Sequence, residues 1–350
     1  MKTRLSARAS LLVRASFIAM SCFASVASAD PVSETLFYTT FSGGQNIWKV
    51  TGTYTGNGTA GNGTFSLSND TNIASTIGAD GIVFNPNNGQ LLVGGQGNSI
   101  HQVNPSNGTS TSAAPGMSAY EITVDPNKQV VWSGGQEGGD NRISSTPINP
   151  FGASGTTVTV TGSVNTITHI TFAPNLASGI AYYTSADDAG QQAHFGTINL
   201  STGVTTDIFT YNTVVPGADF LWHGMEYDPF TGDVFLAGGN QILQIDTSSN
   251  TLLSSLTLPA GINLDQGAVD GKGHLFWADN NGHLVFIDYS TTNLIGDANN
   301  FVYNQSFKGS LDDFAPLIGA GGSTVPEPAT IALLGIGLAG LGLSRRRKGH

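Results

Sequence analysis

Three carboxylates and two imidazoles stand at one position of a recurring strand. Asp80, Glu121, His169, His223 and Asp265 each open, or immediately precede, one of the short segments GIVFNP (81–86), EITVDP (121–126), HITFAP (169–174), GMEYDP (224–229) and QGAVDG (266–271). If those segments run side by side around an axis, the five side chains converge toward one mouth of a central channel. Carboxylates mixed with imidazoles are the donor types of Ca²⁺, Mn²⁺ and Zn²⁺ sites. The pattern is that of polar groups lining the wet mouth of a channel, with a divalent metal such as calcium, or a polar ligand, held among them as the alternative. No catalytic residue is assigned, because GxSxG, phosphate-loop, CxxC and HExxH motifs are all absent.

The elements that must position these residues follow from the repeat. The segments start at intervals of 40, 48, 55 and 42 residues. Each is followed by a second apolar strand: LLVGG (91–95), VVWSGG (130–135), AYYTS (181–185), VFLAGG (234–239) and LFWAD (275–279). A third strand alternates apolar with polar residues in SIHQVNP (99–105), HFGTINL (194–200), QILQIDT (241–247) and HLVFIDY (283–289). A more variable fourth strand completes the unit. Asn and Gly in the connections suit tight hairpin turns. Four antiparallel strands in roughly 45 residues is the arithmetic of a β-propeller blade.

The ends of the repeat region complement each other. LFYTTF (36–41), NIWKV (46–50) and GTFSLS (63–68) read as strands two to four of a blade without a first strand, and SLDDFAPL (310–317) reads as a first strand without followers. Joining them predicts an all-β, six-bladed propeller closed by a blade that both termini share. Five blades is the alternative, and a parallel β-helix fits less well because its repeats are shorter and more uniform.

Composition agrees with an all-β body, since only 11% of residues are charged and 46 are Gly. Eight of the 13 Lys and Arg lie in the two terminal segments, leaving five against 24 acidic residues, a net charge of −19 between them. Such a surface repels nucleic acid and favours cations, neutral glycans or plain solubility. The one cysteine, Cys22, precedes the mature chain, which therefore forms no disulfide.

Residues 1–29 have a basic stretch to Arg14, an apolar stretch from Ala15, and the small residues Ala27 and Ala29 flanking Ser28, so they read as a signal peptide cleaved after Ala29. Its dozen apolar residues fall short of the ~20 that a spanning helix needs. At the other end stand Val325-Pro326-Glu327-Pro328, an apolar run from Ile331 to Leu343, and the basic stop Arg345-Arg346-Arg347. By the positive-inside rule the arginines stay cytoplasmic and hold the short transmembrane segment as an inner-membrane tether. The expected organisation is a leader at 1–29, a propeller domain at 30–317, a linker at 318–324 and a sorting tail at 325–350.

This tail resembles the PEP-CTERM sorting signal of Gram-negative bacteria. The resemblance implies entry through the secretion machinery, processing by an exosortase, a transient membrane tether, and delivery to the cell surface or an exopolysaccharide matrix. The body is similar in general form to NHL-like and lactonase-like propellers over about residues 34–317. That likeness implies that a catalytic metal in the channel is conceivable. The leading expectation is a monomeric, non-enzymatic surface or matrix protein acting in binding, scaffolding or adhesion. The alternative is an exported metal-dependent hydrolase or lyase.

Other candidates carry less. Trp132 and Trp277 fall on second strands, where packing between blades is the natural use, while Trp48 and Trp222 are free of that assignment. His101, His194, His274 and His283 are scattered over different strands and turns, and Asp187-Asp188 lacks the alternating spacing of a calcium loop.

Overall fold

The computed structural model describes residues 32–315, apart from 42–44, 126, 128, 136–139, 163, 165, 186–192 and 211–222. The leader, the sorting tail, Trp222 and Asp187-Asp188 lie outside the described residues. The described chain is all-β. Its first sheet holds β1 (Val32–Thr40), β2 (Ile47–Gly56) and β3 (Gly63–Ala74). The second holds β4 (Ala79–Phe84), β5 (Leu91–Gly95), β6 (Ile100–Val103) and β7 (Ser110–Ala113), and the third β8 (Ile122–Val124), β9 (Val130–Ser133), β10 (Arg142–Pro147) and β11 (Thr156–Thr159). The fourth is built from β12 (Ile167–Thr171), β13 (Ile180–Ser185), β14 (His194–Asn199) and β15 (Thr205–Thr210). The fifth comprises β16 (Gly224–Asp228), β17 (Asp233–Gly238), β18 (Gln241–Asp246) and β19 (Thr251–Thr257), and the sixth β20 (Leu264–Val269), β21 (His274–Asp279), β22 (His283–Asp288) and β23 (Phe301–Ser306). The last strand, β24 (Leu311–Phe314), returns to the first sheet, giving it the order β24-β1-β2-β3.

Side-chain turns explain why Asx residues recur at the strand ends. After the first strands, the carboxyl or amide oxygens of Asn85, Asp228 and Asp270 accept hydrogen bonds from the backbone N–H two residues on, at 3.0, 3.1 and 2.8 Å. The same device follows the third strands, where Asn104, Asn199, Asp246 and Asp288 accept from Ser106, Ser201, Ser248 and Ser290 at 2.8–3.0 Å. Asn and Asp are selected because their short side chains imitate a backbone turn.

Between neighbouring sheets lie six apolar clusters. Tyr183 and Ile143 belong to the cluster between the third and fourth sheets, Phe195 and Leu236 to that between the fourth and fifth, and Phe235 and Trp277 to that between the fifth and sixth. Val93 and Ile47 join the first and second sheets, Leu92 and Val131 the second and third, and Phe276 and Leu36 the sixth and first. Each sheet thus buries both faces, and each fully buried Leu, Ile or Phe contributes about 1.5–3 kcal/mol relative to exposure. The innermost strands β4, β8, β12, β16, β20 and β24 adjoin one another in a closed circuit. This is a propeller arrangement.

Beside the junction of the sixth and first sheets, His274 is clasped by two carboxylates, with Nδ1 2.6 Å from Asp270 and Nε2 3.7 Å from Asp288. Its ring stacks on Phe286. Burial by itself would lower the imidazole pKa, but the hydrogen bonds and charges of Asp270 and Asp288 outweigh burial and raise it to about 9. A folded-state value above the unfolded one of about 6.5 means the clasp stabilises the fold fully below pH 6.5 and ceases to do so as pH passes 9. Its worth is no more than about 3 kcal/mol. Chemical denaturation at pH 6 and pH 9.5 should show this loss in the wild type and a clearly smaller one in His274→Gln.

A candidate cation site at the channel mouth

The inner strands are irregular where they carry polar side chains. The pairing of β4 with β5 shifts register between Asp80 and Ile82, that of β12 with β13 between Ile167 and His169, and that of β20 with β21 between Leu264 and Gly267. A bulge breaks strict alternation and re-aims a side chain. Here it lets strands with apolar flanks turn acids and an imidazole toward the axis. Glu121 stands just before β8 and His223 just before β16, each tied to the adjacent strand through its backbone: the Glu121 carbonyl accepts from Gly134 at 2.9 Å and the His223 N–H donates to Ala237 at 3.1 Å.

Asp265 is held from behind by Trp277, whose indole N–H donates to the Asp265 carbonyl. The ring fits because Gly224 and Gly267 present no side chain there. A Cβ at Gly267 would lie 2.4 Å from the indole, and one at Gly224 would lie 2.6 Å from it and 2.1 Å from the Asp265 carbonyl. Trp277 thus packs between blades, as expected, and also positions the site.

All five residues expected at the channel mouth are brought together. His169 Nδ1 lies 3.3 Å from Glu121 Oε2, and His223 Nδ1 lies 3.4 Å from Asp265 Oδ1. Asp80, Glu121, His223 and Asp265 line one cavity of about 200 Å³, with Tyr120, Asn280 and Asp312 also in its wall. His169 is buried behind Glu121. Sequence reasoning missed Asp312 and Asp313 on β24. Their carboxylate oxygens lie within 4.8 Å of Asp80 in one set, and Asp313 also groups with Glu121 and Asp265 in another. Aligning SLDDFAPL on Ala315-Pro316 puts this pair level with Ile170 and Thr171 in mid-strand, away from the other candidates. The signal available was the pair itself, two adjacent acids inside an otherwise apolar strand. Deeper in the channel, Gln266 donates to Glu226 at 3.3 Å, and burial raises the Glu226 carboxyl to about 8.

The channel mouth concentrates buried negative charge. Asp80, Glu121, Asp265, Asp312 and Asp313 are each at most 7% exposed. Burial first, and then mutual repulsion, pushes Asp80, Glu121, Asp312 and Asp313 well above the usual carboxylate range. Asp265 alone is held low: burial raises it, but the charge and hydrogen bond of His223 outweigh that. His169 does not neutralise the acids, since burial depresses its imidazole to about 4. Asp312 Oδ2 and Asp313 Oδ2 are buried without a hydrogen-bond partner, and Glu121 Oε2 and Asp265 Oδ1 have only the long imidazole contacts given above. A buried, unpaired carboxylate oxygen is costly. Groups of such oxygens within 4.8 Å of one another are what a hard cation satisfies, and an all-oxygen set suits Ca²⁺ or Mg²⁺ better than Zn²⁺.

The other histidines are accounted for separately. His194 pairs with Asp207 at 3.0 Å, His283 with Asp279 at 2.5 Å, and His101 contacts Ser99 at 3.1 Å. Lys308 sits over Trp48, 3.3 Å from the ring centroid, and pairs with Asp70 at 2.7 Å. A second cavity of about 430 Å³ lies at the opposite ends of β8, β12 and β16, with Phe172, Leu176, Ile180 and Tyr227 beside Asp125 and Asn127.

Comparison with known proteins bears on the two parts of the chain separately. Residues 324–348 match the PEP-CTERM protein-sorting motif. The motif implies an exported protein that is processed by an exosortase and anchored transiently at the membrane before release. No curated protein matches the sequence. Among solved structures, the Kuenenia stuttgartiensis hydrazine synthase is similar over 82% of this chain and 89% of its own, with a TM-score of 0.53 and 11% identity. A calcium-binding protein, regucalcin, from Agrobacterium tumefaciens matches over 68% of this chain and 77% of its own, with a TM-score of 0.48 and 12% identity. At 11% identity the likeness to the first of these is one of fold alone. Among the described residues no helix is long and apolar enough to cross a membrane.

Acids with raised pKa bind protons more readily in the folded state than in the unfolded one, so they destabilise the fold above the ordinary carboxylate range, and acidification relieves this. Chelated protein should therefore lose stability as pH rises from about 4 toward neutrality. Calcium should remove most of that slope, as measured by thermal unfolding across the pH series.

Proposed function

We propose that this protein is an exported six-bladed propeller, closed by its terminal strands, that holds a divalent cation at its channel mouth and acts outside the cell in binding or scaffolding. The reading rests on one observation: buried carboxylates brought in by separate inner strands set their oxygens close together in adjoining groups that share Asp313. Glu121, Asp265, Asp80, Asp312 and Asp313 would hold the ion, with calcium the best fit to the donors. Six four-stranded sheets whose inner strands meet in a circuit support the blade count. The organisation in sequence is a leader at 1–29, the propeller at 30–317, a linker at 318–324 and the tail at 325–350.

Size favours binding over catalysis at the mouth. A cavity of about 200 Å³ accommodates an ion with its waters and one small group, whereas pockets for drug-sized ligands run to roughly 300–1,000 Å³. The larger cavity at the far end, with aromatic and apolar walls beside Asp125 and Asn127, offers a place for a neutral sugar ring of an exopolysaccharide. Anionic polymers are disfavoured there by the acidic body.

A second reading, metal-dependent hydrolysis or lysis, is favoured by His223. This half-buried imidazole stands on the cavity wall against Asp265. That is the arrangement of a base oriented by a carboxylate, positioned to take a proton from a small polar group in the cavity. A bound divalent ion would supply Lewis-acid polarisation.

Calcium at about 1,000 times its dissociation constant should stabilise the fold by ~4 kcal/mol, raising the melting temperature by about 5–10 °C for a propeller of this length. An unshifted transition in calcium, relative to chelator, would defeat the cation reading. Esterase and lactonase assays separate the two roles: calcium-dependent turnover abolished in His223→Ala would establish the hydrolase. For sorting, replacing Pro326, Glu327 and Pro328 with Ala should leave the tail uncleaved and the protein in the inner-membrane fraction. Unchanged processing and distribution would refute exosortase handling.

A further inference from the structure

We propose that the channel mouth holds two divalent cations bridged by Asp313, one among Glu121, Asp265 and Asp313 and the other among Asp80, Asp312 and Asp313. The inference rests on the cation reading above and adds a second ion with its own ligands. Two oxygens on one Ca²⁺, each at 2.3–2.6 Å, stand at most about 5 Å apart. Among the described residues the acidic oxygens do not gather into one set within such a span; they fall into two sets, each within 4.8 Å, with Asp313 common to both.

Each set contains buried oxygens that make no well-formed hydrogen bond. In the first, Glu121 Oε2 and Asp265 Oδ1 have only long contacts with an imidazole, 3.3 Å to His169 and 3.4 Å to His223; in the second Asp312 Oδ2 has no hydrogen-bond partner, and the shared Asp313 Oδ2 has none either. The other oxygen of Asp313, Oδ1, accepts from the Gln266 N–H at 3.2 Å, which fixes the carboxylate's orientation between the two sets. Charge gives the same count. Five ionised carboxylates with one divalent ion leave a net −3 in a buried space, and two ions leave −1. Uncompensated buried charge is strongly unfavourable, so the second ion removes most of what the first leaves behind.

Because Asp312 and Asp313 lie on β24, the second ion ties the closing strand to β4, which carries Asp80. The test counts ions. The exported protein, stripped with chelator and titrated with calcium chloride, is analysed by calorimetry and by elemental analysis after desalting. Two calcium ions per chain are expected in the wild type and one in Asp312→Asn. Asp80→Asn should lose that same ion, and it serves as the second variant if Asp312→Asn does not fold. Asp313→Asn should weaken both ions at least tenfold. One ion per chain in the wild type, or two retained by the folded Asp312→Asn and Asp80→Asn proteins, overturns the bridged pair and leaves the single-cation reading standing. No bound calcium overturns both.

Discussion

The ring depends on a strand of four residues. β24 meets β1 through Tyr38 opposite Phe314 and Thr40 opposite Leu311, and without that pairing the first sheet would face the axis with an unpaired edge. A closed ring leaves no inner edge to aggregate or fray. The junction is reinforced on both sides. Outside, Tyr54, Phe65, Phe276 and Phe286 interlock between the sixth sheet and the first, with Phe65 and Phe286 stacked at 4.5 Å. Tyr38 itself donates to Asp70, which is also the partner of Lys308 just before the closing strand. Inside, the same strand delivers Asp312 and Asp313 to the axis.

Closure and site chemistry are therefore coupled. An apolar β24 would pack the channel without electrostatic cost, yet this one buries two adjacent acids beside three others. Pairs of acids in a protein interior destabilise the fold unless a countercharge or hydrogen bonds compensate. The partners present are insufficient: His169 is neutral at physiological pH, His223 and the Asn280 amide serve Asp265, and the Gln266 side chain is engaged with Glu226. A bound cation would convert the most costly feature of the interior into a link between strands far apart in sequence.

The terminal segments and the body have separate tasks. The sorting motif lies entirely beyond the ring, following β24 after a short Gly-rich stretch, and its basic residues are segregated from the acidic body. An acidic body of this kind is weakly attracted to anionic lipid.

The repeat was readable in the chain because blade geometry imposes local constraints: two-residue alternation, Asx turns after first and third strands, and apolar second strands all leave marks in the order of residues. The complementary ends, LFYTTF and SLDDFAPL, were legible for the same reason, as was the expectation that Asp80, Glu121, His169, His223 and Asp265 share a level. Asp312 and Asp313 were not, because the register of β24 against its neighbours is set by pairing with β1 and by contact around the axis rather than by its own proline. Nor did sequence disclose that His169 is buried and neutral, that Trp277 braces Asp265 through gaps left by Gly224 and Gly267, or that the acids divide into two sets. Strand identity is a property of neighbours along the chain, whereas distances between side chains on six different strands exist only once the ring has closed.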